Sequence, residues 1–325
     1  MFSGLNLRTL IFGTGGGLAS AALFYSAAKG SVGLSILLFL LTPLPSLIAG
    51  FGWGLGAASA ASAAGALVMA FAVSPAFAFG YLLALGLPVA GITHLIFLAR
   101  YDTDGALIGW YPAGRVMAAI ALYGALLPAL LVQFGDGSFR MLEPDFVRFF
   151  KQLSAQAPIG SSWRAIDDQR LQTLAALWVQ GMPAAIASYW TLFIAINVYL
   201  AGRVTRLSGL LVRPWPDFKW MSYPAGLAAL FGLALAGIWF GGVPRLLGAG
   251  AAGALFVAFL LLGLSVAHAV GPARATWLLY VVYGTLAVAG YVAAPLTAFV
   301  GLLESVAHLR ARLVPVPSGL PPGTI

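Results

Sequence analysis

The sequence predicts an all-α fold: a polytopic bundle of about eight to nine membrane-spanning helices, with an amphipathic surface helix in the 135–170 segment. Three observations predict it. Hydrophobic residues make up 61% of the chain and charged residues only 8%, against roughly a quarter charged in soluble domains. Mean hydropathy is +0.96, so the surface this chain can present suits hydrocarbon better than water. The apolar residues also fall into runs of about 20, the length a helix needs to cross a bilayer.

The runs lie at 9–28, 32–51, 53–73, 76–99, 114–134, 183–202, 223–241, 246–269 and 276–303. The first follows Arg8 and ends in Ser26, Ala27 and Ala28, the outline of a signal peptide. Gly13, Gly15, Gly16 and Gly17 suit a packed helix better than a signal core, so it reads as a retained span. At a spacing of four, Gly13, Gly17 and Ala21 form a ridge of small residues for close helix packing. The second run contains Pro43 and Pro45, and the fourth Pro88. Each proline removes a backbone donor, which implies either a kink or a broken helix lining a site. The third run is built from Ala, Gly and Ser and reads as an interior helix. The stretch 135–170 mixes charges, from Asp136 to Arg170, with Phe146, Phe149 and Phe150 at helical spacing after Glu143-Pro144. It reads as a helix lying on the membrane, followed by one that starts near Ile166 and runs into the sixth span. One domain spans 1–313, and the Pro/Gly-rich tail 314–325 reads as disordered.

Basic residues set the orientation. Arg203, Arg206, Arg213 and Lys219 against Asp217 place 203–219 in the cytoplasm. Counting back puts the N-terminus inside as well. Counting forward through three spans puts Arg310 and Arg312 outside, a conflict that requires one of the last three runs to be re-entrant or doubled, or the tail to tolerate its charges. Lys29 and Glu304, at the ends of spans, are expected to reach the interface.

The net charge of +8 comes from these loop arginines, so it does not point to nucleic acid. With no cysteine, disulfides and thiolate chemistry are excluded. His94, His268 and His308 are not paired at ligand spacing, so no metal site is expected. Gly13-Thr14-Gly15-Gly16-Gly17 lacks the lysine and preceding strand of a phosphate loop. Asp167 and Asp168 are adjacent carboxylates, but they point about 100° apart on a helix and have no nucleophile beside them. No cofactor and no enzymatic activity are expected.

Two kinds of site remain. The sixth span carries Tyr189, Trp190 and Asn197, candidates for lining a ligand pocket, with a helix–helix hydrogen bond as the alternative for Asn197. The loops carry Trp110, Tyr111 and Arg115 in one segment and Arg203, Arg213, Trp215 and Asp217 in another, candidates for docking a partner or, more simply, an aromatic belt with inside arginines. Arg213 there can pair with Asp217 or a phosphate.

The WYPxGR string at 110–115, the LAGR string at 200–203 and the RPWPDF string at 213–218 resemble the YybS-like family of bacterial membrane proteins (domain of unknown function 2232). The resemblance runs from about Leu18 to Arg312 and implies an inner-membrane location. That family is similar in fold to the substrate-binding S components of energy-coupling-factor transporters, which bind a micronutrient and associate with an ATPase-driven module. Their coupling ridge of alanines has its counterpart here in Gly13, Gly17 and Ala21, with glycine at two positions. The implied function is a small-solute-binding or transport-associated subunit. The alternative is an assembly or scaffold factor that docks a partner, such as an ATPase-driven coupling module, through cytoplasmic loops 109–115 and 203–218.

Overall fold

The computed structural model describes residues 6–27, 32–134, 139–158, 160–164, 166–274 and 276–314, apart from the side chains of 32 and 272–274. Lys29, Asp136 and nearly all of the tail lie outside the described residues. The fold is an all-α bundle, and among the described residues eight helical segments are long and apolar enough to cross a membrane.

The first four crossings form one half of the bundle. Helix α1 (Leu7–Ala27) lies against the alanine-rich α4 (Leu55–Ala72). A Cβ on Gly13 would come within 2.6 Å of Ala57 O, and one on Gly17 would meet Ala61 O still closer, so only glycine lets these backbones approach. Ala21, fully buried, continues the ridge. Between them run α2 (Val32–Leu40) and α3 (Leu44–Trp53), separated by the turn that Pro43 and Pro45 impose. Gly54 at φ +86° reverses the chain directly into α4. Ser74 caps α5 (Pro75–Tyr81), its Oγ accepting from Phe77 N–H. A π-helical turn (Leu82–Gly86) then joins α5 to α6 (Leu87–Phe97), with Pro88 at its start.

The breaks in these helices leave carbonyls without donors, and neighbouring side chains supply them. Leu44 N–H, which would serve Leu40 O in a continuous helix, bonds Leu41 O instead. Leu40 O accepts from Asn197 Nδ2 at 2.7 Å. At the π turn Leu87 N–H reaches back to Leu82 O, and Pro88 has no N–H for Leu83 or Ala84. Tyr123 Oη donates to Leu83 O and Trp190 Nε1 to Ala84 O, both at 2.7 Å. The kinks are thus healed within the bundle, as a membrane interior requires.

Strands β1 (Ala99–Tyr101) and β2 (Leu107–Trp110) form a hairpin between α6 and α7 (Ala113–Phe134). Its turn is held by Asp102, whose Oδ1 accepts from the N–H groups of Asp104 and Ala106, and by Gly105 at φ +79°. Helix α8 (Glu143–Gln156) lays Phe146 and Phe150 against Leu171, Ala175 and Trp178 at the start of α9 (Asp168–Leu207). Asp167 caps α9 by accepting from Arg170 N–H. At 40 residues α9 runs well beyond the expected span 183–202.

The last third departs from simple crossings. The run 223–241 is helical only over α10 (Leu227–Gly237), 11 residues and too short to span. Residues 223–226 are irregular, and together with the 3-10 turn before them (Phe218–Trp220) they form a non-helical segment beside α11 (Gly242–Arg274). Helix α12 (Trp277–Ala307) bends at Ala289, where φ/ψ are −131°/45°. His308, at φ 50°, then turns the chain into α13 (Leu309–Leu313). Glu304 and Arg310 do not reach an interface. Both are buried and paired, Nε to Oε1 at 2.8 Å. Arg310 also donates to Lys219 O, to Met221 O (2.7 Å) and to Ser265 Oγ (3.0 Å). Since α12 starts beside Gly271, only about 9 Å along α11 from Ser265, its bend and α13 bring the chain back to the end where it began. Arg310 thus lies beside Ser265 and Lys219.

Candidate functional site

Arg213 ties the ends of several elements together. It is 7% exposed, and its guanidinium donates to Ile96 O (3.0 Å) at the end of α6 and to Tyr111 O (3.1 Å) after the hairpin, with Trp110 5.9 Å away. The arginine pairs with neither Asp217 nor a free face, because these carbonyls take its donors. Burial pulls its pKa down to about 10, which leaves it charged at neutral pH. Trp215 packs against Gly202, where any Cβ would collide with its ring. Three sequence strings, 110–115, 200–203 and 213–218, therefore meet at one end of the bundle.

That end is the basic face. Helices α1 and α4 run parallel through the contacts of Gly13 with Ala57 and Gly17 with Ala61, so Arg8 starts where α6 ends. Arg100, Arg115, Arg203, Arg206 and Lys219 lie there too, against Asp102, Asp104 and Asp217. Arg115 is exposed beside Tyr111, at 6.0 Å from the ring.

A cavity of about 710 Å³ opens on this face between α9, the irregular segment 215–221, α11 and α12. Its apolar wall includes Ala195, Ile196, Leu261, Leu264 and Phe218, and its rim includes Arg203, Arg206, Lys219, Asp217 and His268. Among the described residues Arg203 and Arg206 make no ion pair. Asp217 accepts from Lys219 N–H at 3.1 Å and so shapes the turn. His268 Nδ1 lies 2.9 Å from Leu264 O, and its Nε2 faces Tyr283 Oη at 3.5 Å. The floor is the broken span itself. Ser265 Oγ and Arg310 hold Lys219 O, Arg310 holds Met221 O, and Tyr223 Oη donates to Ala258 O at 2.7 Å.

The candidates expected in the sixth span lie elsewhere. Asn197 is fully buried, with Nδ2 bonded to Leu40 O and Phe193 O (2.8 Å). Trp190 is buried with its N–H on Ala84 O. Both are helix–helix ties, and neither lines the cavity on the basic face. Tyr189 is 44% exposed and stacks with Phe39 and Phe193. Among the loop candidates Arg115, Arg203 and Asp217 are exposed, Trp110, Tyr111 and Trp215 half-buried, and Arg213 buried. Of all these, the cavity takes Arg203, Trp215 and Asp217. Sequence reasoning missed Arg206, Lys219 and His268 as site residues and Arg310 as their support. The one available signal was positive charge gathering around a proline-rich run. Among the described residues no His/Asp/Glu group could hold a metal.

Compared with protein-family models, with curated proteins and with solved structures, the chain finds no match in any of the three.

Proposed function

We propose that this chain is a non-enzymatic multi-pass protein of the bacterial inner membrane, with its N-terminus and basic face in the cytoplasm, that binds a small solute as a transport-associated subunit. The single observation that carries the reading is the cavity of about 710 Å³ floored by a discontinuous span and rimmed by Arg203, Arg206 and Lys219, which make no ion pair among the described residues. Irregular backbone at membrane depth is tolerated where it lines such a space, and solute sites are built on it. The family resemblance of the 110–115, 200–203 and 213–218 strings points the same way, through S components. The positive-inside rule supports the orientation.

The test is native mass spectrometry of gently extracted protein. A retained small-molecule mass, lost when Ile196→Trp fills the cavity, supports the reading; a mass that survives this substitution sinks it. The alternative, an assembly factor docking through 109–115 and 203–218, is favoured by the hairpin, which exposes Tyr101, Leu107 and Ile108 on the same face. A photo-crosslinker at Ile108 capturing an ATPase subunit in equal amount supports it, and capture of no protein removes it.

A further inference from the structure

The cavity's two long walls are graded in the same direction. On α9, Ile196, Tyr199, Arg203 and Arg206 fall at spacings of three, four and three, so they share one face. Over ten residues, about 15 Å, that face passes from aliphatic through aromatic to doubly cationic. Helix α11 runs parallel to α9, since Gly253 meets Ala184 and Arg245 bonds Gln180 at one end while Leu264 and Tyr199 line the cavity at the other. It repeats the grade from Leu261 through Ser265 to His268. Lys219 adds a third cation at the polar end, where Asp217 is the one acid. Two of the lining residues are also open to the outside: Ile196 is 44% exposed and Tyr283 47%.

From this grade we infer that the cavity takes a phosphate-bearing amphiphile, its phosphate at Arg203, Arg206 and Lys219 and its chain along Ile196 and Leu261. This deepens the solute-binding reading and rests on it. Guanidinium groups recognise phosphate through paired charged hydrogen bonds. A membrane lipid can enter laterally without leaving the bilayer, whereas a soluble phosphate would find the apolar end of the cavity unfilled.

The experiment titrates detergent-solubilised, delipidated protein with phosphatidic acid, with phosphatidylcholine of the same chains, and with glycerol 3-phosphate, reading bound mass by native mass spectrometry. One phosphatidic acid is expected per chain. Its affinity should fall about tenfold or more in Arg203→Gln/Arg206→Gln, recover in part in Arg203→Lys/Arg206→Lys, and be unchanged in Arg245→Gln at the far end of α11. Equal binding of phosphatidylcholine, equal binding of glycerol 3-phosphate, or undiminished affinity in the double glutamine variant each overturns the inference. The solute-binding reading then stands if Ile196→Trp still removes the solute retained on extraction. If none of the three probes binds and Ile196→Trp displaces nothing, both fail together.

Discussion

Removing the Arg310 guanidinium tests whether the C-terminal segment holds the floor of the cavity. The side chain is 4% exposed and pairs with Glu304, which is equally buried. In Arg310→Met, Glu304 keeps the Arg310 backbone N–H at 2.9 Å but loses its counter-ion, and Met221 O loses its side-chain donor. Lys219 O keeps only Ser265 Oγ at 3.2 Å. Breaking a buried pair by removing one partner costs about 3–5 kcal/mol, because the remaining charge is desolvated and uncompensated. On the scaling of globular domains this lowers the melting temperature by on the order of 10 °C. The double variant Arg310→Met/Glu304→Leu leaves no buried charge, so it should melt above Arg310→Met. The coupling energy should be at least about 2 kcal/mol. Thermal melts in one detergent, followed by retention of the monodisperse peak, complete the cycle. If the two single effects add to within about 0.5 kcal/mol, the pair is not the support described here.

The remaining predictions concern other joints. Trp190→Phe and Tyr123→Phe each orphan a carbonyl at the π turn and should each destabilise by about 1–3 kcal/mol, read from the same melts. Gly17→Val should prevent assembly, seen as loss of the monodisperse peak, because its Cβ would meet the α4 backbone at Ala61. Gly15→Ala, two positions away with nothing within 4 Å of its Cβ, should be neutral. Arg213→Met unties Ile96 O and Tyr111 O and should speed proteolysis at the hairpin, measured as the rate of cleavage near Asp104. The chain has no native cysteine, so single cysteines at Asp104, Ser208 and Arg312 can be labelled in vesicles. All three should react from one side, and Arg148→Cys from the other; labelling of Arg312→Cys with Arg148→Cys would mean that α12 crosses after all.

The bundle was legible in the sequence because its spans are long and their composition leaves no alternative solvent. The prolines at 43, 45 and 88 announced breaks, and the small-residue ridge of α1 was readable at a spacing of four. The hairpin at 99–110 was not, since strands of three and four residues carry no periodicity. The half-helical seventh span was missed for a physical reason. Its residues are as apolar as those of a helix, and what unwinds 218–226 is a set of donors and acceptors from distant elements, Ser265, Ala258 and Arg310. Arg310 itself read as a surface charge at the end of the last run. Only the reversal at His308 and the bend at Ala289 fold it back, and neither residue type demands that. Asn197 in mid-helix called for a partner, and a helix–helix hydrogen bond was one of its two readings; Trp190 read only as part of an aromatic wall. The sequence could not show that the partners were carbonyls freed by prolines more than 100 positions away.

The breaks at the α2–α3 turn, at the π turn and in the seventh span differ in what completes them. At the α2–α3 turn and at the π turn, the freed carbonyls are met by single side chains from α7 and α9 whose rings and stems are themselves packed. Those breaks are closed, and substituting the donors changes stability. At the seventh span the floor carbonyls are likewise met, by Ser265 and Arg310, so the irregular backbone is held from below. Above it, Arg203, Arg206 and Lys219 face open space. Cations near a hydrocarbon boundary are stabilised by water, by anionic headgroups or by a ligand. A packing role would have paired them with acids, as Arg310 is paired with Glu304. Charge is neutralised where Arg310 meets Glu304 and supports the floor, while among the described residues the cations at the rim make no ion pair.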